Sequence, residues 1–418
     1  MSFTFVPIRP RVLLSDDDFQ RIIGGYVRSM EQMGGASGSD NDLGKSEPMF
    51  YLVATGGTEE EILRLDAARQ QVFPDTPVLL VAHPSANSLP AALEVLARLR
   101  QDGRRGRIFY LEGPDDSRGL KQIAEAAHDL GTFHALRSMR IGLIGDPSDW
   151  LVASSPDPAI VQKTWGPRVL PIEMAELTNA LESISPHRID PAVDSLAVDA
   201  EEVLEPTRAV QRDVVRVHLA LNELVERHEL DALSIRCFDL VLNQRTTGCL
   251  ALARLNDEHV IAGCEGDLVS TVGMLWAHEL LSEVPWMANP ARLDTDRNTL
   301  WLAHCTVPLS LVTGYSLRSH FESGLGVAIQ GRLPKQPATL LRIGGNTMNE
   351  LWLAEGEITQ TGDSEDLCRT QVEIQLTHGH VGDLLRSPLG NHLVMVRGHH
   401  APRLRSWWET MIAPHRAQ

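Results

Sequence analysis

Residues 260–290 carry the pattern that most narrows the possible folds of this chain. A short apolar run at 260–262 predicts a buried strand. Two carboxylates, Glu265 and Asp267, follow it, and apolar residues at spacings of three to five then predict a helix that ends before Pro285. A carboxylate between a strand and a helix faces the crevice where α/β folds bind ligands. The same carboxylates could instead only cap the helix, since acidic side chains accept hydrogen bonds from free N–H groups there.

The segments upstream of this stretch alternate between strand-like and helical patterns. The predicted strands are 49–54, 77–83, 107–112, 139–145 and 232–237, and the predicted helices are 88–100, 120–130, 206–228 and 249–255. Strands that alternate with helices form parallel sheets. We therefore predict two doubly wound α/β domains, over residues 1–137 and 138–281. Residues 34–48, rich in Gly, Ser and Asp, predict a loop.

Downstream of Pro285 the pattern changes to short strands separated by turn residues. The strand-like segments are 299–305, 324–330, 338–344, 350–358, 369–376 and 392–396. Several short strands in a row, with Gly, Pro, Asn and Asp between them, are typical of an antiparallel barrel or sandwich. We predict a third domain over residues 282–418, which ends with an amphipathic helix at 401–412.

The charge balance argues against a nucleic-acid partner. The chain carries 38 basic and 55 acidic side chains, a net charge of −17, whereas phosphate binding requires clustered Lys and Arg. No window of about eighteen uninterrupted apolar residues exists, so no membrane span is expected. The 5 cysteines are widely spread and no pair has the spacing of a zinc site. This usage indicates reduced thiols in a cytoplasmic protein.

Three separate segments carry a family resemblance. They are ATGGTEEEI with VAHPSANSLPAALEVLARL, then SIRCFDL with CLALARLND and AGCEGDLVSTVGML, and finally RIGGNTMNELWLAEGEI with CRTQVEIQL and GNHLVMVRGHHAPRL. Together they resemble the L-fucose/L-arabinose isomerase-like superfamily of sugar isomerases and span most of the chain between residues 51 and 404. The resemblance implies two Rossmann-like domains, a C-terminal antiparallel β-barrel and a homo-oligomer (trimer or hexamer). It also implies Mn²⁺-dependent interconversion of aldoses and ketoses.

The resemblance further implies a set of metal ligands, which in the fucose isomerase branch are a Glu, an Asp and a His. Glu265 in CEGD matches the Glu, and His392 in GNHLVMV matches the His. The Asp position falls on Asn289 in WMANP. An Asn offers a cation a neutral carbonyl oxygen but contributes no charge and cannot act as a base. Asp294 or Asp296 could take this position only if the loop shifts by several residues.

The implied reaction moves a carbonyl group between C1 and C2 of an open-chain sugar. A divalent cation that chelates two sugar oxygens stabilises the enediolate charge, and oxygen-rich ligands with one imidazole suit Mn²⁺ or a similar ion such as Mg²⁺ or Co²⁺. Carboxylates on the two faces of the sugar exchange the proton. Glu265 is expected to bind the ion and to act as acid and base, with Asn289 or Asp294 completing the site. Because Asn289 replaces a carboxylate, a non-catalytic sugar-binding protein and an epimerase on the same scaffold stay open.

Three further residues are candidates for substrate binding. Arg236 ends a predicted strand and could contact sugar hydroxyls or form a buried ion pair. Asp267 could support the site or cap the helix that follows it. His304, in LAHC, resembles a family position near the metal, although a histidine in a strand can also be a core residue.

Overall fold

The computed structural model describes residues 2–10 and 14–413, which form two compact units. Unit 1 lies within Met1–Ala135 and Ser406–Gln418, and unit 2 is Leu136–Arg405. In the described residues, no helix combines the length and the apolar character that a membrane span requires.

Unit 1 is built on a parallel five-stranded sheet. Its elements are β1 (Phe3–Ile8), α1 (Asp16–Gln32), β2 (Gly35–Ser37), β3 (Met49–Val53), α2 (Glu59–Gln70), β4 (Val78–Ala82), α3 (Ser88–Gln101), β5 (Gly106–Tyr110) and α4 (Ser117–Ser138). The strand order is β2-β1-β3-β4-β5, one of the two common orders of doubly wound sheets. Strands β3 and β4 are buried along their whole length, as expected for central parallel strands.

The segment at 34–48, which the sequence predicts as a loop, contains strand β2. Gly35–Ser37 pair in parallel with the first residues of β1, and Ser39 then caps a short 3₁₀ turn at Asp40–Asp42. The prediction of an unbroken loop is therefore wrong. A three-residue edge strand depends on pairing with its neighbour and leaves no apolar pattern of its own in the sequence.

The first part of unit 2 contains a second parallel sheet. Its elements are β6 (Arg140–Ile144), α5 (Pro158–Thr164), β7 (Arg168–Ile172), α6 (Met174–Ser183), α7 (Pro186–Asp199), β8 (Glu202–Val203), α8 (Arg208–His228), β9 (Ala232–Ile235), α9 (Cys237–Gln244), α10 (Cys249–Asp257), β10 (Ile261–Gly263) and α11 (Leu268–Leu281). The parallel strands follow the order β10-β9-β6-β7, which makes β10 an edge strand.

The second part of unit 2 contains a closed antiparallel barrel. This part of the chain contains β11 (Trp286–Asp294), β12 (Thr299–His304), β13 (Gly314–Arg318), β14 (Ala328–Arg332), β15 (Pro337–Gly344), β16 (Glu350–Gly362), β17 (Thr370–His378), α12 (Gly382–Arg386) and β18 (Leu393–Arg397). Helix α13 (Ala401–Met411) follows, and its residues from Ser406 onward belong to unit 1. The barrel order is β11-β12-β17-β16-β15-β18, and β14, β13 and β8 form a small separate sheet. The predicted class, parallel α/β sheets followed by an antiparallel barrel, is confirmed. The domain boundary at 281/282 lies within unit 2 and stays a prediction.

Helix α11 joins the sheet to the barrel. It contacts β9 and β10 of the sheet and β11, β15 and β18 of the barrel. Eleven of its residues are buried, which explains why it is apolar on every side. A Cβ at Gly273 would lie 3.2 Å from Leu341 and 3.4 Å from Val394, so the helix approaches the barrel strands closely at that point.

Edge strand β10 is held by the side chain of Asn256, which lies at the end of α10 and is buried. Its amide nitrogen donates to the carbonyls of Leu252 (2.8 Å) and Ala262 (2.9 Å), and its oxygen accepts from the Ala262 N–H (3.1 Å).

We expect Asn256→Ala to lower the free energy of unfolding by roughly 2–4 kcal/mol, because it leaves both backbone groups of Ala262 without these bonds. Urea denaturation measures this, with exposed Asn243→Ala as control. Equal stability of the two variants would contradict the expectation.

The buried side chain of His83 predicts a pH dependence in unit 1. Its Nε2 lies 3.1 Å from the Ala54 carbonyl oxygen, its Nδ1 lies 2.9 Å from Ser85 Oγ, and its ring stacks on Tyr26. Burial lowers the pKa of His83. Below pH about 6.5, His83 therefore binds a proton in the unfolded chain but not in the folded chain. The free energy of unfolding then falls as the pH drops from about 6.5 toward the pKa of His83 in the folded state.

We expect His83→Gln to flatten this part of the stability profile, by at most about 1.4 kcal/mol per pH unit. Urea midpoints measured between pH 5 and pH 7 test this. The same slope in wild type and variant would show that His83 does not contribute.

Candidate active site

Glu265 lies in the turn that follows β10. Its backbone is left-handed (φ +64°), as is that of Gly266 (φ +74°). The left-handed backbone conformation costs a residue with a side chain about 1–3 kcal/mol, and it persists only where the surrounding structure stabilises it. Here the Gly266 N–H donates to the Ile235 carbonyl (2.9 Å) and the Ser148 N–H donates to the Glu265 carbonyl (2.8 Å). A Cβ at residue 266 would lie 2.7 Å from the backbone of Pro147, so this position requires glycine.

Two barrel histidines face the Glu265 carboxylate. His392 precedes β18 and is fully buried, and its Nε2 lies 3.7 Å from Glu265 Oε1. His304 ends β12, and its ring lies edge-on to that of His392 with centroids 5.5 Å apart. His304 Nδ1 is 2.8 Å from the hydroxyl of Thr306. In the described structure the buried Nε2 of His392 has no hydrogen-bond partner.

The donor atoms of Glu265, His304 and His392 lie within 4.8 Å of one another. Among the described residues this is the one group of three or more His, Cys, Asp or Glu side chains with such a spacing. Ligands at about 2.1 Å from a divalent cation are at most about 4.2 Å apart, so small side-chain movements would bring these atoms to bonding distance. One carboxylate oxygen and two imidazole nitrogens are a donor set that Mn²⁺ and Co²⁺ accept.

Behind the histidine lies a fully buried ion pair. Asp267 caps α11 by accepting from the Ser270 N–H (2.7 Å), and its Oδ2 also lies 2.9 Å from His392 Nδ1. Arg342 of β15 approaches the same oxygen (3.3 Å) and donates to the hydroxyls of Ser270 (2.5 Å) and Ser154 (2.5 Å). A carboxylate behind a histidine fixes the orientation of the ring and makes the other nitrogen a better metal ligand. Asp267 is therefore both a helix cap and a support for His392.

These contacts set the protonation of the site. Burial raises the pKa of Asp267, but the charge of Arg342 and the contact with His392 outweigh burial and hold it below its usual range. Burial lowers the pKa of His392, but the carboxylates of Asp267 and Glu265 outweigh burial and raise it to about 9. Burial and the nearby charge of His392 lower the pKa of His304 to about 4.

At neutral pH His304 is thus neutral and His392 is protonated. Burial raises the pKa of Glu265, but interactions with His392 and the Trp150 indole lower it overall, so this carboxylate is ionised. The proton on His392 occupies the position that a cation would take, since a bound metal ion displaces the proton of a histidine ligand.

A cavity of about 50 Å³ adjoins these side chains, enough for an ion with a few water molecules. Asn289 of β11 lines it together with Glu265 and His304, as do Phe238, His320 and Glu322. Asn289 pairs with Ala303 of β12, which explains its closeness to His304. The structure therefore brings Glu265, Asn289, His304 and His392 together, with Asp267 behind them.

Asp294 and Arg236 do not line this cavity. Asp294 lies five residues beyond Asn289 along β11, roughly 16 Å at the usual rise of a strand, and caps a turn by accepting from the N–H groups of Asp296 (3.0 Å) and Arg297 (2.9 Å). Arg236 is engaged by the Pro147 carbonyl and by the carboxylates of two aspartates, Asp149 and Asp239. The structure thus shows ion pairs at Arg236, but Asp149 is 87% exposed, so this pair is not buried. Contact of Arg236 with sugar hydroxyls stays a prediction.

Trp150 is not among the residues predicted from the sequence, yet its indole N–H donates to Glu265 Oε2 at 2.6 Å. All five cysteines also line the cavity, which the sequence did not predict. They are free thiols, four of them buried, and the sulfur atoms of Cys237 and Cys264 lie 3.1 Å apart. Cys237, Cys264 and Cys305 follow strands, whereas Cys249 begins α10 and Cys368 precedes β17, and which of these positions meet depends on the fold.

Comparison with known proteins finds similarity to two sugar isomerases. The chain is 27% identical over 268 residues to a sulfoquinovose isomerase of Clostridium sp. (strain MSTE9), which covers 62% of this chain and 59% of that protein. It is 22% identical over 242 residues to a sulfoquinovose isomerase of Alkalicoccus urumqiensis, covering 56% and 54%. The chain thus spans less than two thirds of the length of these curated relatives. No family model matches it.

The buried Arg342 is expected to contribute strongly to stability. Its side chain is 1% exposed and faces the fully buried Asp267, so Arg342→Met leaves that carboxylate with His392 as its one remaining cationic neighbour among the described residues and should cost about 3–5 kcal/mol. The matched control is Arg332→Met, because Arg332 pairs with Glu201 on the surface and its side chain is 55% exposed, so its loss should have little effect on stability. Urea denaturation compares the two. A loss at Arg342 no greater than at Arg332 would contradict the importance of the buried pair.

Proposed function

We propose that this chain is an aldose–ketose isomerase that depends on a divalent cation, and that it belongs to the L-fucose/L-arabinose isomerase-like superfamily. The observation that carries the proposal is His392, a fully buried imidazole whose Nε2 lacks a hydrogen-bond partner and is directed at Glu265. A buried polar atom without a partner costs free energy unless a ligand takes that role. The similarity to two sulfoquinovose isomerases supports the same reading and makes sulfoquinovose the first aldose to test.

The residues fit the proposed cation. Glu265, His304 and His392 would hold it, and Asn289 on the same cavity wall can offer its carbonyl oxygen. Mn²⁺ is the first candidate, with Mg²⁺ and Co²⁺ as alternatives, because the set mixes oxygen and imidazole donors and contains no thiolate. When bound, such an ion polarises two sugar oxygens and stabilises the negative charge that develops on them.

Glu265 is the proposed acid and base. Its ionised carboxylate takes the proton from C2 of the open-chain aldose, and the electrons of the C–H bond form the C1–C2 double bond of the enediolate. The same group returns the proton to C1, while a proton moves from the C2 hydroxyl to the C1 oxygen. Asn289 cannot transfer a proton. His320 and Glu322 on the cavity wall are the proposed groups for this second transfer.

Binding of Mn²⁺ is the first test. At a concentration 100 times its dissociation constant, Mn²⁺ should stabilise the chelator-treated protein by about 2.7 kcal/mol. We expect Glu265→Gln and His392→Asn to lose most of this stabilisation. Glu265→Gln should also lower kcat for ketose formation at least about 100-fold. Glu182→Gln, an exposed substitution on α6, is the matched control. The proposal fails if Mn²⁺ leaves the wild-type protein unchanged and Glu265→Gln retains full activity.

The replacement of a carboxylate by Asn289 favours two alternative functions that the same assay distinguishes. A ketose that binds without turnover indicates a sugar-binding protein. Solvent deuterium that enters the sugar without net isomerisation indicates an epimerase. The expected homo-oligomer, a trimer or hexamer, is part of the proposal and is measured by light scattering.

A further inference from the structure

We propose that Trp150 is a positioning residue that fixes the orientation of the Glu265 carboxylate. The inference rests on the proposed function, because it concerns which carboxylate oxygen of Glu265 would bind the proposed cation. The Trp150 indole N–H donates to Glu265 Oε2 at 2.6 Å, whereas Oε1 faces His392 at 3.7 Å. One oxygen is therefore occupied by the protein, and the other is directed toward the two histidines.

The loop that carries Trp150 is fixed on both sides of it. Before Trp150, Arg236 donates to the Pro147 carbonyl (2.6 Å), and the Ser148 N–H donates to the Glu265 carbonyl (2.8 Å). After it, the Ser154 hydroxyl accepts from Arg342 (2.5 Å). The loop is thus hydrogen-bonded to the backbone of Glu265 and to Arg342 of the buried ion pair with Asp267.

The indole is also fixed by packing. Phe238 of α9 meets it edge to face, with ring centroids 4.9 Å apart, and Phe238 itself lines the cavity. Trp150 remains 51% exposed, so its burial contributes little to the core. Trp150 is a large, half-exposed aromatic residue whose one polar side-chain group donates a hydrogen bond to a candidate metal ligand. This hydrogen bond explains its position better than core packing does.

A carboxylate held at one oxygen has lost rotational freedom about its last torsion. It would present a single oxygen, Oε1, to a cation held with the two histidines, and only a small movement of the carboxylate would then be needed. Groups that orient a metal ligand in this way typically contribute about 10- to 100-fold to metal affinity or activity. Trp150 would therefore act through Glu265 without touching the sugar.

The test is Trp150→Phe, which keeps an aromatic ring next to Phe238 and removes the N–H donor together with the second ring of the indole. We expect the Mn²⁺ dissociation constant, measured by titration calorimetry on chelator-treated protein, to rise about 10- to 100-fold. Trp150→His, whose ring N–H can donate, should recover part of the affinity. Val152→Ala on the same loop, at a side chain that is 89% exposed, should bind Mn²⁺ like wild type.

A purely structural role would lower stability and leave the affinity of the folded protein unchanged. A dissociation constant for Trp150→Phe within about twofold of wild type, short of the roughly tenfold increase expected when a group that orients a metal ligand is lost, would overturn the inference and leave the proposed function standing. A wild-type protein that does not bind Mn²⁺ would overturn the proposed function, and this inference with it. A crystal structure of Trp150→Phe with the Glu265 carboxylate in its original orientation would also overturn the inference.

Discussion

The buried ion pair between Arg342 and Asp267 is the interaction on which the candidate site depends. Two ions in the protein interior are tolerated only when their remaining donors and acceptors are satisfied. Arg342 meets this condition by contacting Asp267, Ser270, Ser154 and the Leu389 carbonyl. Its partners come from α11, from the loop after β6 and from the segment before β18. These three segments must therefore be in place together, which makes formation of the site cooperative with formation of unit 2.

The fold divides the donor atoms between two kinds of structure. The carboxylate comes from a strained turn at the end of a parallel strand, and the two imidazoles come from barrel strands β12 and β18 or their ends. Helix α11 connects the two, since Asp267 at its start bonds to His392 while its body packs on both the sheet and the barrel. The geometry of the three donors is thus determined by the packing of one apolar helix.

The electrostatics of the site follow from burial and from the order of charges. Arg342, Asp267, His392 and Glu265 form an alternating row of cation, anion, cation and anion. His304, which has no carboxylate in hydrogen-bonding contact, stays neutral because burial disfavours its charged form. A neutral imidazole and an ionised carboxylate are the protonation states that a metal ion requires. Only His392 must release a proton, and the Asp267 carboxylate then holds the ring in the orientation in which Nε2 faces Glu265.

The sequence by itself determined the alternation of strands and helices, the change to short antiparallel strands after Pro285, and the placement of Glu265 and Asp267 between a strand and a helix. These features are local, since apolar spacing and a carboxylate between a strand and a helix can be read within about thirty residues.

Tertiary structure decided the rest of the site. Closure of the barrel brings His304 to His392, and the rise of β11 keeps Asn289 at the cavity while it carries Asp294 away. The contact of Trp150 with Glu265 joins residues 115 positions apart, and the five cysteines meet at one cavity. Such long-range contacts arise from strand order and register, which no local pattern in this chain specifies.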